Sequence, residues 1–534
     1  MLSHFNQKIL IIFLWLSINV TLSVTSILYY KYWYIFLIPL SLSTVYNCIS
    51  IILIIIFSIK NKLFITDKET EYKRRSIAFL VTCYNESEDE LKNTIDSIKN
   101  QDNIHSNKKM LFIVCDGQVK GGNNELTTNN ILKKMFKNEI EYIVYEKDKY
   151  IYKTWSGEYN NVEIIYGNID NIIPFIIIVK DANVGKRDSL VLIRHLLYIF
   201  NNDSESNIIS EPLLSVLYDY IKLTNINKFD YIVGTDADTV FDNQCTLNLL
   251  KSIDWDPNTH GVVGFVHVSP NMPKWSFLTI YQFTEYIIAQ SLRRVQQSIV
   301  TNKVSCLSGC VQILRVSKET CGDKILKAFN AYPNKNANVW RHILSFASED
   351  RNHVCLMLHM YPYVKTRQCL TAKAYTMIPD TIAIFRSQRR RWSLGATSND
   401  ILLMYKSGIN FYERISAWVN VITYILSLYI FVATITLYYT IFSHPSLMLL
   451  YLSIPIFIPI LYEICIILWY KFDNKIDVIR FIIGLFVYIF CGAVINIMIG
   501  IYSLLNIDCF KWGKTRITQD TVNEHNIIEM VVVT

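Results

Sequence analysis

The residues best suited to chemistry in this chain are acidic, and they stand where short apolar runs end. Gly234-Thr235-Asp236-Ala237-Asp238-Thr239 closes the run that starts at Tyr231. Two carboxylates one residue apart at a strand end can both reach one divalent ion. Their hard oxygens suit Mg2+ or Mn2+, with diphosphate oxygens completing the shell. Asp-x-Asp is common by chance, and its weight here comes from the buried strand before it. A second acidic group, Ser348-Glu349-Asp350-Arg351, lies further on. A carboxylate beside an attacking hydroxyl can take its proton, a service worth roughly 10²–10⁴-fold in rate. The plainer reading is an acidic pair that opens a helix and is favoured by its dipole.

Cationic and aromatic groups complement these acids. In Asn183-Val184-Gly185-Lys186-Arg187-Asp188-Ser189 the glycine lets the backbone come close, and Lys186 and Arg187 offer donors to a pyrophosphate. A solvated basic turn capped by Asp188 would look the same. Gln388-Arg389-Arg390-Arg391-Trp392 holds three arginines. Next to apolar runs these would ordinarily flank a membrane span. The bracketing Gln388 and Trp392 make the pattern more specific, since Trp offers a flat face to a sugar ring and Arg a clamp for diphosphate. Thr82-Cys83-Tyr84-Asn85-Glu86 can present an aromatic face and hydrogen-bonding groups to a base. Cys115-Asp116-Gly117 puts an acid at a strand end before a sharp turn, which suits uracil or ribose. Asp-Gly alone is more often only a turn.

These groups need a scaffold that brings strand ends together. Ile77–Thr82, Met110–Cys115, Phe175–Val179 and Tyr231–Gly234 are short apolar runs that exit into polar residues. That alternation predicts a Rossmann-like α/β domain over residues 76–380, with ligands at the carboxyl ends of parallel strands. Two apolar runs precede it, at about 9–30 and 34–58, so residues 1–60 are expected to hold two transmembrane helices. Three more follow within 416–506, at about 416–441, 446–470 and 481–506. Residues 381–414, where Arg, Trp, Phe and Tyr mix at helical spacing, are expected to lie at the membrane surface, and 507–534 form a tail.

The composition of the 534 residues agrees: 51% are hydrophobic and 13% aromatic, with a mean hydropathy of +0.24. Lys60, Lys62, Lys68, Lys73, Arg74 and Arg75 put the start of the α/β domain in the cytoplasm by the positive-inside rule. The net charge of +7 fits cytoplasmic loops, and no basic stripe with a nucleic-acid motif accompanies it. The 12 cysteines lie mostly singly in apolar runs, which suits free thiols in a reducing compartment. Counting spans sends the end of the chain to the side opposite the α/β domain. Lys511, Lys514 and Arg516 argue instead for the cytoplasmic side, that of the α/β domain. The count is preferred, because the last run is long, continuous and uncharged.

Taken as a set, the motifs resemble the chitin synthases, among the processive family-2 glycosyltransferases that include cellulose and hyaluronan synthases. The chitin branch is suggested by Gly185–Ser189, Glu349-Asp350-Arg351, Gln388–Trp392, the Tyr281-Gln282 start of a helix with Glu285 and Tyr286, and Cys306-Leu307-Ser308-Gly309-Cys310. The resemblance implies a GT-A-type domain inserted between transmembrane helices of a plasma-membrane protein. It implies UDP-N-acetylglucosamine as donor, a growing chitin chain as acceptor, the lipid bilayer as a third partner, and no nucleic acid; homo-oligomers are compatible with it. Tyr84, Glu86 and Asp116 would serve the uridine, with Lys186 and Arg187 near the nucleotide. Asp236 and Asp238 would serve metal and UDP. Asp350, beside Glu349, would be the base. Gln388, Arg391 and Trp392 would frame acceptor and diphosphate, and Cys306 would approach the acceptor sugar.

Two departures stand out. Ser308 replaces the family's usual proline, and Trp512-Gly513-Lys514-Thr515-Arg516 carries one inserted residue relative to a Trp-Gly-Thr-Arg-like element. They keep an inactive homologue in view, beside a hyaluronan or other polysaccharide synthase. A membrane transporter or receptor would need no such combination of motifs.

Overall fold

The computed structural model describes residues 3–29, 32–64, 74–102, 104, 106–121, 124–405 and 408–510. The Trp512–Arg516 element lies outside them. Two helices open the chain, α1 (His4–Leu28) and α2 (Trp33–Phe64).

The α/β domain follows. Its strands are β1 (Ser76–Cys83), β2 (Lys108–Cys115), β3 (Ile140–Val144), β4 (Ile151–Lys153), β5 (Tyr159–Ile169), β6 (Ile173–Lys180), β7 (Tyr231–Asp236), β8 (Thr239–Phe241), β9 (Thr259–Val268), β10 (Gln312–Arg315) and β11 (Lys365–Thr376). They form one mixed sheet in the order β3-β5-β6-β2-β1-β7-β10-β9-β11-β8, with β4 beside β5. The four expected strands are β1, β2, β6 and β7. They are parallel neighbours, and Thr82 pairs with both Val114 and Asp236 while Cys115 pairs with Val179. Their carboxyl ends therefore finish level, and Tyr84, Asp116, Lys180 and Asp236 emerge along one edge. An α/β domain between apolar helices, as expected, is thus the observed architecture.

Side chains alternate across this sheet. Phe79, Ile113 and Phe175 pack under α3 (Glu88–Lys99) and α4 (Thr128–Met135). Leu80, Phe112 and Ile178 pack under α5 (Lys186–Asn202) and α6 (Glu211–Leu223). Because both faces are covered, the strands read as continuous apolar runs without a polar phase. The second half of the sheet was not legible in that way. There α7 (Cys245–Asp254) covers β9 and β11, a parallel pair broken by irregular register between Gln368 and Lys373, and β10 runs antiparallel between β7 and β9.

The helices α8 (Phe277–Ala289), α9 (Asp323–Phe329), α10 (Val339–Phe346) and α11 (Glu349–Met360) complete the domain. After it come α12 (Ile382–Tyr405), which carries Gln388–Trp392, then α13 (Phe411–Ile425), α14 (Ser427–Ser443), α15 (Leu447–Trp469) and α16 (Lys475–Leu505). Among the described residues, three helical stretches are long and apolar enough to cross a membrane: α1, the Ser41–Lys60 part of α2, and α16. The run expected as one span at 416–441 belongs to two helices, α13 and α14, that meet at 80°. Asn506–Phe510 pack against α10, α12 and the start of α1: Asp508 pairs with Lys8 at 3.0 Å, and the Phe510 ring lies 4.7 Å from that of His342. Asn506–Phe510 thus rest on the α/β domain.

Candidate active site

Asp116 leaves β2 and is held from three directions. The Lys180 ammonium donates to its Oδ1 at 2.8 Å, Val184 N–H to the same oxygen at 3.0 Å, and Gly185 N–H to Oδ2 at 2.8 Å. Lys180 is fully buried at the end of β6 and donates also to Asp188, at 3.0 Å. Asp188 in turn accepts from Tyr152 and from Trp155 N–H. A buried cation between two buried acids is stable only when every partner is present, so this cluster pins the 181–185 loop onto β2. Gly185, at φ +105°, caps α5 and turns the chain so that Lys186 starts the helix facing the site.

Lys186 forms an ion pair with Asp236 at the end of β7, and its ammonium lies 3.7 Å from Glu349. Burial by itself would lower its pKa; the Asp236 and Glu349 carboxylates outweigh that and hold it well above the usual lysine value. Arg187, one residue on and about 100° around the helix, does not come to the site. Its guanidinium is buried, donates to the carbonyls of Phe329 and Leu344 and to Asn352, and stacks over the Phe329 ring. Where a nucleotide contact was expected, Arg187 is a staple between α5 and the Phe329 and Leu344 carbonyls. Glu86 likewise turns back on its own loop, where its carboxylate accepts the Tyr84 N–H at 2.6 Å. Thr128 donates to the Tyr84 carbonyl and Asn124 to that of Glu86, so both loop residues are held in place.

Glu349 and Asp350 open α11 and diverge. Glu349 is buried and faces Lys186; burial raises its carboxyl pKa, Lys186 opposes this and Asp350 adds to it. Asp350 is half-buried, and its Oδ1 accepts from Ser348 Oγ at 3.1 Å and Arg351 N–H at 2.7 Å. The Cys306–Cys310 loop bridges the acids: the Cys306 thiol lies 3.8 Å from Asp350 Oδ2, and the Cys310 thiol 3.3 Å from Asp236 Oδ2. Both cysteines are free, and among the described residues no three His, Cys, Asp or Glu gather closely enough to hold a metal unaided. Burial raises both thiol pKa values, with Asp350 adding at Cys306 and Asp236 at Cys310.

The three arginines of α12 fan out, as successive residues on a helix must. Arg389 pairs with Glu285 of α8 and stacks 4.1 Å from the Trp392 ring centre. Arg390 donates to the Asn506 carbonyl. Arg391 faces the acids: burial lowers its pKa while Glu349, Asp350 and Asp236 pull it up. Gln388 accepts from Arg389 at 3.0 Å. Trp392 is 43% exposed, with Tyr286 6.0 Å away, so one face is backed by Arg389 and much of the ring stays open. Asp400, two turns further along α12, was missed by sequence reading. It is buried and pairs with Arg293 at 3.2 Å, with Arg351 4.0 Å away, tying α12 to the turn that holds Asp350.

The structure therefore gathers Lys186, Asp236, Glu349, Asp350, Arg391 and Cys306 around one cleft, with Asp238 on the β7–β8 turn and Trp392 at its rim. Four carboxylates meet two cations. An anionic cleft of this kind repels a diphosphate unless a further cation joins it.

A family model described as chitin synthase matches residues 50–530 of the chain. A chitin synthase 8 from Gibberella zeae is 34% identical over 509 residues, covering 91% of this chain and 74% of its own length. A chitin synthase 8 from Verticillium dahliae is 32% identical over 444 residues, covering 76% and 70%. Among solved structures, a mannosyltransferase from Pyrobaculum calidifontis in complex with GDP-mannose and Mn2+ aligns with 89% of this chain and 99% of its own, at 11% identity and a TM-score of 0.42. From a likeness that low nothing about this chain follows.

Proposed function

The chain belongs to the chitin synthase family, and on that premise we propose that it is a processive synthase that adds N-acetylglucosamine from UDP-N-acetylglucosamine to a growing β-1,4 chain. The observation that carries the chemistry is the division of labour between neighbouring acids, Glu349 on Lys186 and Asp350 on the Cys306 side. The first belongs to the nucleotide half of the cleft and the second to the acceptor half.

In this reading Tyr84 and Asp116 receive the uridine, and Lys186 and Arg391 receive the diphosphate. Asp236 and Asp238 suit a Mg2+ or Mn2+ ion, because both are hard oxygen donors one residue apart and the cleft is short of positive charge. The ion, when bound, neutralises charge on the leaving UDP. Trp392 stacks on the acceptor's terminal sugar. Asp350 accepts the proton of its 4-hydroxyl as that oxygen bonds to the anomeric carbon; the bond from that carbon to the diphosphate breaks, UDP leaves, and the α donor becomes a β link. Most of the acceleration would come from positioning and charge complementarity. A polar polymer cannot diffuse through lipid, so its export would run between the membrane helices, with the α/β domain in the cytoplasm.

The test is direct. Membranes containing the protein, supplied with UDP-N-acetylglucosamine and Mg2+ or Mn2+, should yield an insoluble polymer that chitinase degrades to N-acetylglucosamine oligomers. A product resistant to chitinase and cut by hyaluronidase would transfer the chain to a different synthase activity. No product with any UDP-sugar would mark an inactive member.

A further inference from the structure

By length and composition α16 is a membrane span, yet both of its ends rest on the same domain. Before its first turn, Asp473 accepts from Lys373 at 2.6 Å and from Tyr375 at 3.0 Å, both on β11, and the Tyr470 hydroxyl lies 3.1 Å from His267 of β9. Beyond its last turn, Asn506 accepts from Arg390 of α12 at 3.3 Å, and Asp508 pairs with Lys8. Between these points α16 is laid against α8 and α12 throughout. Arg480 stacks 4.2 Å from the Phe283 ring, and the Tyr488 and Tyr281 rings lie 5.9 Å apart; Ile495 and Ile499 pack on Tyr281 and Phe385. A Cβ on Gly484 would stand 1.8 Å from the Thr284 hydroxyl, so the two helices touch backbone to side chain there.

A helix of 31 residues is about 46 Å long. If it crossed a hydrocarbon layer about 30 Å thick, Lys373 and Arg390 would lie on opposite sides. They cannot, since β11 belongs to the α/β domain and α12 packs directly on α10 and α11 of that same domain. The other face of α16 explains its apolarity. Phe486, Phe490, Val494, Met498 and Leu505 recur every four to seven residues and are 46–74% exposed. A stripe that long and apolar is not left in water.

We propose that α16 lies in the plane of the bilayer surface, one face on the catalytic domain and the other in acyl chains. The crossings are then α1, α2, α14 and α15, an even number, and Lys475 and Cys509 share the side of the catalytic domain. Charge agrees with this arrangement: Lys471, Lys475 and Arg480 surround one end of α16, Lys511, Lys514 and Arg516 follow the other in sequence, and the Ser443-His444-Pro445 link between α14 and α15 has no Lys or Arg. The occupant of the stripe is lipid, because the stripe continues the exposed apolar surface of the neighbouring α15, where Leu461 and Leu468 are 58% and 83% exposed. The inference is independent of the chemistry proposed for the cleft.

Two measurements on the full chain in membranes test it. The exposed native Cys509, kept in a background with Cys465→Ala, is reacted with an impermeant thiol reagent in sealed vesicles of each orientation, beside Lys475→Cys and Ser443→Cys. Cys509 and Lys475→Cys should react from one side and Ser443→Cys from the other; reaction of Cys509 together with Ser443→Cys overturns the proposal. Nitroxides at Phe486→Cys, Phe490→Cys, Val494→Cys, Met498→Cys and Leu505→Cys should report similar, shallow depths by collision with oxygen against a nickel chelate. A profile deepest near the middle of α16 and shallow at both ends means that the helix crosses, and also overturns it. Polymer synthesis by each labelled variant shows that it has folded.

Discussion

Gly395 offers a severe test of how the cleft is built. It lies in the middle of α12, where Ala would ordinarily favour the helix by about 1 kcal/mol. Here a Cβ would stand 2.5 Å from Ser348 Cβ and 3.4 Å from Ser348 Oγ. Carbon atoms pack at about 3.5–4.0 Å, so Gly395→Ala must separate α12 from the Ser348–Asp350 turn by ~1 Å. Overpacking of this kind costs about 1–3 kcal/mol, which the helix propensity partly offsets, leaving a net loss of about 0–2 kcal/mol and a folded protein. The catalytic consequence is larger. Ser348 Oγ donates to Asp350 Oδ1 at 3.1 Å, and a shift of ~1 Å in a reacting group can cost about 100-fold in rate. Initial rates of UDP release, with UDP-N-acetylglucosamine affinity measured by calorimetry on the same preparation, separate the two effects. The expected result is a rate lower by about two orders of magnitude with affinity within ~3-fold of the parent. A rate within ~3-fold of the parent would show that α12 does not position Asp350.

Three further outcomes follow from the geometry. Trp392→Ala should raise the KM for a chitooligosaccharide acceptor about 5–10-fold, the worth of one ring contact of ~1–1.5 kcal/mol, and leave the KM for the UDP-sugar unchanged; equal rises in both would point to loss of structure around Arg389. Asp238→Asn should raise the Mg2+ or Mn2+ concentration needed for half-maximal polymer synthesis at least tenfold, and excess chelator should abolish synthesis by the parent; activity untouched by chelator contradicts the ion's role. His353 is buried and its Nε2–H donates to the Thr320 carbonyl at 2.8 Å; burial first, then Arg194, hold its pKa well below the usual value. Below about pH 6.5 the unfolded chain gains a proton there that the folded one refuses, so stability falls as pH drops, by ~1.4 kcal/mol per unit from this group. Thermal midpoints in detergent between pH 7 and 5 should fall less steeply in His353→Gln; identical slopes would rule the histidine out as a cause.

Much of the cleft was legible in the sequence because four fully covered strands show as apolar runs, and each run exits into the residue that reaches the cleft. Asp116 and Asp236 could be found in that way. Lys180 could not, although its signal was present: a lysine that ends an otherwise apolar strand has either to snorkel or to be paired, and here two acids pair it. Arg187 and the arginines of α12 show a second limit. Neighbours on a helix point about 100° apart, so a run of cations supplies one side chain to a site and buries the others elsewhere. Lys186 and Arg391 are in phase with the acids; Arg187, Arg389 and Arg390 are engaged with Phe329, Glu285 and Asn506. The β9–β11 half of the sheet was hidden because Lys365–Thr376 alternates and is interrupted at Gln368. For α16, hydropathy records how apolar the helix is, and not whether protein or lipid covers each face, so its orientation has to be argued from contacts at its two ends.

The central claim is that Asp350 takes the proton of the acceptor hydroxyl while the nucleotide half of the cleft works independently of it. Asp350→Asn keeps the shape and one acceptor oxygen for Ser348 and Arg351 N–H, and removes only the basicity. Measured side by side, chitinase-sensitive polymer formation should fall by at least ~100-fold, the lower end of general-base assistance, while UDP-N-acetylglucosamine binding stays within ~3-fold of the parent. Polymer formation at near the parental rate in Asp350→Asn would contradict the account.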